Sequence, residues 1–297
     1  MFAGLAVCVF VLAAPSLPVQ RLAGRDCVAV PDIIRAYNAG NAITARADRR
    51  YITVAGVNHW LTTPVVASRS RLWITQTDLL KTVDPVLRSR RPPGVPARVI
   101  VLDPGHGGSD RGTRGRTARE KTLTLDLAQR VRRYLAGSGA RVLLTRATDR
   151  AVSLESRSDF ARASRADLFV SIHFNSGGSA SGIETYCLPP AGASSTSASW
   201  WRRLSGEFNA GNRFDADNAW LAHCVQAALL RGTRTEDRGV RRARFQVLRD
   251  ASCPAILVEA GFLSNVTEER RILTVEYRER LAKAIADGIV AYRKTAD

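Results

Sequence analysis

Short runs of uninterrupted apolar residues alternate along this chain with longer stretches in which apolar positions recur every three or four residues. Val99-Ile100-Val101-Leu102, Leu168-Phe169-Val170-Ser171-Ile172 and Ala255-Ile256-Leu257-Val258 are runs of the first kind. Their length and apolarity predict strands buried on both faces of a sheet. Leu123, Leu127, Val131, Tyr134 and Leu135 fall at helical spacing between the first two runs, and predict an amphipathic helix. Thr117, followed three positions later by Glu120, predicts a capping box at its start. The order continues with a strand at 142–144, a helix at 154–165, a strand at 182–188, a helix at 219–230, a short strand at 245–248 and a closing amphipathic helix at 277–292. Such alternation predicts an α/β fold, a doubly wound and mostly parallel sheet flanked by helices.

Residues 24–90 have a different rhythm. A short helix at 31–37, brief runs such as Tyr51-Ile52-Thr53-Val54 and Leu72-Trp73-Ile74-Thr75, and a last helix at 77–87 predict a small β-rich module. Residues 91–97, rich in Pro and Gly after Arg90, have the composition of a linker, which leaves 98–297 as the main domain. Residues 1–23 begin with an apolar stretch from Phe2 to Ala14, followed by Pro15, Ser16 and Pro18. This stretch resembles a secretory signal peptide, although no Lys or Arg precedes Arg21, and it is too short to span a membrane. The expectation is an exported protein of the periplasm or cell envelope, not an integral membrane protein once processed. Segment 189–217, rich in Ser, Ala and Gly and carrying Trp200-Trp201, interrupts the alternation and reads either as a functional loop or as partly disordered, with 201–208 long enough for two helical turns.

Composition adds a constraint on partners. The 297 residues carry 44 Lys and Arg against 27 Asp and Glu, a formal charge of +17, which favours polyanionic partners. No zinc-knuckle spacing, aromatic-interleaved basic stripe or helix-turn-helix pattern accompanies the charge, so nucleic acid is disfavoured. After residue 23 there are four cysteines, Cys27, Cys187, Cys224 and Cys253, none at C-x-x-C spacing. Both disulfides and unpaired buried thiols remain open for them.

The candidate chemistry sits at the ends of the three apolar runs, which lead into His106, His173 and Glu259. In open α/β sheets ligands gather outside the carboxyl ends of the strands. With Glu120 the set becomes the inventory of a catalytic zinc site: three protein ligands, an open position for water and a carboxylate to handle protons. Each residue also has a structural explanation. Glu120 suits a capping box, and His106 lies in a turn-rich loop, Asp103 to Gly108, that fits neither common phosphate-binding pattern. Glu259 is the hardest to explain structurally, because an acid ending an apolar strand faces costly desolvation without a cation or donor. His59 is expected to pack against Trp60 or the surface.

Six blocks then agree in order and spacing with one family. Val99 to Gly108, Arg119-Glu120-Lys121, Thr145-Arg146 with Asp149, Ser171 to Asn175, Asp237-Arg238-Gly239-Val240 and Val258 to Asn265 resemble the zinc-dependent N-acetylmuramoyl-L-alanine amidases of bacterial cell walls, over residues 98–293. The resemblance implies that His106, Glu120 and His173 bind one zinc ion and that Glu259 is the catalytic carboxylate. It implies as substrate the amide between N-acetylmuramic acid and L-alanine in peptidoglycan, with Asn175 and Arg238 as candidate substrate contacts. Anionic envelope polymers are expected partners. Some relatives carry an inserted helix that blocks the zinc until an activator protein binds, and 189–217 lies where such an element could sit; its composition is less helical than a blocking helix would be, so a substrate-covering loop is the first expectation and an activator partner the second. The small module resembles the copper-amine-oxidase-type N-terminal domain attached to bacterial envelope enzymes. Two further readings stay open, another zinc-dependent peptidase or amide hydrolase, and a non-catalytic envelope-binding protein.

Overall fold

The computed structural model of the protein describes residues 14–88, 97–196 and 207–294. The chain begins with strands β1 (Val19–Leu22) and β2 (Arg25–Ala29), helix α1 (Val30–Ala36), and strands β3 (Ile43–Ala45), β4 (Tyr51–Val54), β5 (Val57–Trp60), β6 (Val66–Ser68) and β7 (Arg71–Thr75). One helical stretch follows, α2 (Gln76–Asp78) passing through a wide turn at Leu79–Val83 into α3 (Asp84–Leu87). Next come β8 (Val99–Pro104), α4 (Glu120–Leu135), β9 (Arg141–Leu144), α5 (Leu154–Ala163), β10 (Leu168–Asn175), β11 (Ile183–Cys187) and α6 (Asp215–Thr233). The chain closes with β12 (Asp237–Arg242), α7 (Gln246–Arg249), β13 (Ala255–Phe262), α8 (Val266–Leu273) and α9 (Val275–Lys294).

The expected α/β architecture is present. A nine-stranded sheet runs in the order β3-β4-β5-β12-β11-β13-β10-β8-β9, with β9, β8, β10 and β13 mutually parallel and β11 antiparallel to β13. Burial on both faces explains the uninterrupted apolar runs. Ile100, Leu102, Val170, Ile172, Ile256 and Val258 pack with α4, α6 and α9 on one face, whereas Val101, Phe169 and Leu257 pack with α5 and α7 on the other. The buried stripe of α4 is Leu123, Leu127, Ala128, Val131 and Leu135. Tyr134, expected in that stripe, is 44% exposed, because it lies on the flank of the helix one position before Leu135.

The small module divides its strands between two sheets. Strands β1, β2, β7 and β6 form an antiparallel sheet of their own, while β3, β4 and β5 extend the large one. The join is the parallel pairing of β5 with β12, where His59 stands opposite Val240. His59 is fully buried, not at the surface; its Nε2 lies 3.1 Å from Nδ1 of His223, whose ring in turn stacks on Trp220.

Other expectations are corrected. Residues 245–248 do not form a strand: Phe245 leads into the short helix α7. The segment closes its backbone bonds locally, Leu248 N donating to Phe245 O at 3.0 Å. Of the two alternatives open for Cys27, Cys187, Cys224 and Cys253, the structure shows buried thiols, none of them in a disulfide. Residues 1–13, the linker up to residue 96, and residues 197–206 of the long loop lie outside the described residues. No helix among the described residues is long and apolar enough to cross a membrane.

Helices α6 and α9 approach closely enough to make one glycine indispensable. A Cβ on Gly288 would lie 2.5 Å from Val225 Cα and 2.9 Å from Cys224 O, both backbone atoms that cannot swing away. Gly288→Ala is therefore expected to cost about 1–3 kcal/mol through overpacking, read as a lowered midpoint in thermal or urea unfolding. An unchanged midpoint would contradict this packing.

Candidate active site

Strand register brings the predicted residues to one level. His173 on β10 pairs with Glu259 on β13, and Ile172 with Pro104 at the end of β8. The turn after Pro104 then carries His106, whose φ of 60° is a left-handed conformation that a side chain adopts only under constraint. The turn also comes close against His173: a Cβ on Gly105 would sit 2.2 Å from the imidazole Cε1.

Glu120 does not serve as a capping-box residue. Helix α4 starts at Glu120 itself, with Arg119 as its N-cap and no side-chain cap. The carboxylate turns instead into the site, where Oε1 lies 3.0 Å from His106 Nε2 and 2.9 Å from His173 Nδ1. Phe174 N donates to Oε1 at 3.1 Å and Thr113 N to Oε2 at 2.7 Å. Burial opposes ionisation of Glu120, but the bonds from His106 and His173 outweigh it and hold the carboxyl well below its ordinary value. Burial likewise pulls the His106 imidazole down, and its bonds to Glu120 and Asp110 prevail, leaving it above its ordinary value.

One ligand atom from each of His106, Glu120 and His173 lies within 4.8 Å of the other two. Three donors about 2.0–2.2 Å from a tetrahedral zinc would be separated by roughly 3.3 Å, so two imidazoles and one carboxylate fit such an ion by number, type and spacing. Glu259 lines the same cleft, of about 690 Å³, as these three residues. Its Oε2 is buried and has no hydrogen-bond partner among the described residues. Burial first, then the like charges of Glu120 and Glu184, push Glu259 well above its ordinary value.

The supporting residues were less visible in the sequence. Asp110 Oδ2 lies 2.8 Å from His106 Nδ1, which fixes the ring and leaves Nε2 facing Glu120; the only sequence signal was its placement four residues after the histidine. Arg157, on α5, ties Asp103 Oδ1, Pro104 O and His106 O together at 2.6–2.8 Å. Arg146 reaches Pro104 O at 3.0 Å and Gly105 O at 2.7 Å. The two candidate substrate contacts both bond to Glu184, Asn175 through Nδ2 at 3.1 Å and Arg238 through Nε at 2.7 Å. Asn175 lines the cleft. Arg238 is spent on Glu184 and stacks 4.9 Å from the Phe262 ring centre.

Replacing Asp110 by Ala is expected to weaken divalent-metal retention by about 10–100-fold, as loss of a ligand-orienting partner does, while leaving the unfolding midpoint of the metal-free protein nearly unchanged. Equilibrium dialysis against zinc checks this, and parental affinity would remove Asp110 from the account.

Comparison with known proteins gives a consistent result. A family model described as N-acetylmuramoyl-L-alanine amidase matches residues 100–291. The sporulation-specific N-acetylmuramoyl-L-alanine amidase of Bacillus subtilis is 35% identical over 192 residues, which cover 64% of this chain and 66% of that protein. The N-acetylmuramoyl-L-alanine amidase AmiA of Escherichia coli is 33% identical over 243 residues, covering 74% of this chain and 84% of that one. Among solved structures, the catalytic domain of CwlV from Bacillus (Paenibacillus) polymyxa superposes with a TM-score of 0.56 at 33% identity, over 67% of this chain and 99% of that domain.

Proposed function

Because this chain belongs to the N-acetylmuramoyl-L-alanine amidase family, we propose that it hydrolyses the amide joining N-acetylmuramic acid to L-alanine in peptidoglycan, with one zinc ion held by His106, Glu120 and His173. The observation that carries this reading is the convergence of two imidazoles and a carboxylate in one cleft with Glu259, whose buried oxygen lacks a partner among the described residues. Zinc in that position would polarise a water molecule and the scissile carbonyl, and its charge would offset the carboxylates around it.

The chain's own groups divide the remaining work. Glu259 takes the proton of the attacking water and returns it to the leaving amine nitrogen, so no charged amide fragment has to depart unprotonated. Burial and the neighbouring charges of Glu120 and Glu184 give Glu259 a proton affinity above that of a free carboxylate, which suits a group that must hold the proton between the two transfers. Asp110, Arg146 and Arg157 keep the His106 turn in place through the bonds described above. Peptidoglycan lies in the cell envelope, so that is where the reaction takes place, as part of wall remodelling.

Glu259→Gln should keep stoichiometric zinc while kcat on purified sacculi falls by about 10²–10⁴-fold; His106→Ala and His173→Ala should lose zinc and turnover together. Elemental analysis beside release of stem peptides separates the two classes, and a Glu259→Gln protein working at the parental rate would refute the assignment. The pH dependence has a definite sign. A base is disabled as it takes up its proton, so kcat/KM should decline on the acid side, and burial of Glu259, which disfavours its charged form, pushes that decline toward higher pH. That acid limb should be missing from the residual activity of Glu259→Gln.

A further inference from the structure

Four arginines stand between the first two zinc-ligand positions, in Asp110-Arg111-Gly112-Thr113-Arg114-Gly115-Arg116-Thr117-Ala118-Arg119. Arg111, Arg114, Arg116 and Arg119 are all exposed, and no side-chain partner is found for any of them among the described residues. Some arginines elsewhere in the fold are used differently: Arg146, Arg157 and Arg242 are buried, with their guanidinium groups on backbone carbonyls and carboxylates.

The backbone under these four side chains is held firmly. The buried Glu269 accepts from the N–H groups of Arg116, Thr117 and Ala118 at 3.0, 2.9 and 3.1 Å. A Cβ on Gly115 would lie 2.2 Å from Glu269 Oε1, so the loop closes around that carboxylate with no room to spare. At its other end Thr113 N donates to Glu120 Oε2. Asp110 and Thr113 form part of the cleft wall, which puts Arg111 and Arg114 next to it in the chain. Four exposed like charges within nine residues, none with a side-chain partner among the described residues, give this loop a concentrated positive potential. A partner carrying anionic groups at intervals would complement that potential and fit the planar guanidinium forks.

We propose that this loop is a subsite for the free carboxylates of peptidoglycan, holding peptide stems next to the one being cut. The proposal rests on the amidase reading above and adds the part of the substrate that the rim recognises. Each exposed pair contributes little, and several acting together hold the enzyme on an insoluble anionic mesh in a salt-dependent way.

The test compares the full-length protein with Arg111→Gln/Arg114→Gln/Arg116→Gln/Arg119→Gln and with a control of equal charge, Arg46→Gln/Arg49→Gln/Arg132→Gln/Arg231→Gln, whose arginines are exposed elsewhere. Co-sedimentation with sacculi stripped of phosphate-bearing polymers is measured from low to high salt. The loop variant should bind about tenfold more weakly than parent and control at low salt, the gap should close at high salt, and Arg111→Gln/Arg114→Gln alone should give an intermediate loss. Amidation of the sacculus carboxylates should bring the parent down to the level of the loop variant. Equal binding by loop variant and control would overturn the proposal. So would a loss seen only on sacculi that keep their phosphate polymers, or parental binding that survives amidation. Sedimentation needs no turnover, so the subsite is decided separately from the amidase reading, which fails if the parent releases no stem peptide from the same sacculi.

Discussion

The rest of the site depends on an ionised carboxylate kept out of water between two imidazoles. Glu120 is 2% exposed, and a buried charge of this kind persists only where its lone pairs are met. Here two backbone N–H groups donate to them, and the two histidine nitrogens that face Oε1 at 2.9–3.0 Å would share a metal ion with it. Those partners come from the turn after β8, from β10 and from the loop before α4, so satisfying one carboxylate fixes three separate parts of the chain relative to one another. The Asp103, Arg146 and Arg157 network then supports the turn from below, with Asp103 also accepting from Thr145 at 2.6 Å and Ser171 at 2.8 Å.

Across the sheet the site extends as a row. His173, Glu259 and Glu184 stand side by side on β10, β13 and β11, and the two acids are treated in opposite ways. Burial raises Glu184, but the Tyr186 hydroxyl and the guanidiniums of Arg241 and Arg238 prevail and hold it below its ordinary value. Glu259 receives no such donors and moves upward. Pairs of carboxyl groups pushed apart in this manner are how one fold keeps a permanent anion beside a proton carrier. The small module takes part in this zoning: Arg241 lies 4.3 Å over the Trp60 ring, and Trp60 Nε1 donates to Arg238 O at 2.9 Å.

The legible part of the sequence was the part governed by burial alone. Strands covered on both faces produce continuous apolar runs, and β8, β10 and β13 were readable for that reason, together with the residues at their ends. Glu120 shows where such reading stops, because a capping box and a ligand position present the same local pattern. The difference is made by His173, 53 positions away. Residues 245–248 failed for a related cause: a short apolar run suits strand or helix, and local backbone bonds from Phe245 onward make it a helix. The pairing of β5 with β12 and of His59 with His223 joins residues more than 160 positions apart, and no periodicity carries that information. Six motif blocks carried the family resemblance, and the family match bears it out.

X-ray absorption at the zinc edge of the purified protein tests the central claim most directly. The account predicts one zinc per chain with a shell of nitrogen and oxygen only, at about 2.0–2.2 Å, and with two imidazole signatures. A sulfur shell near 2.3 Å, or a protein that takes up no zinc, would contradict it.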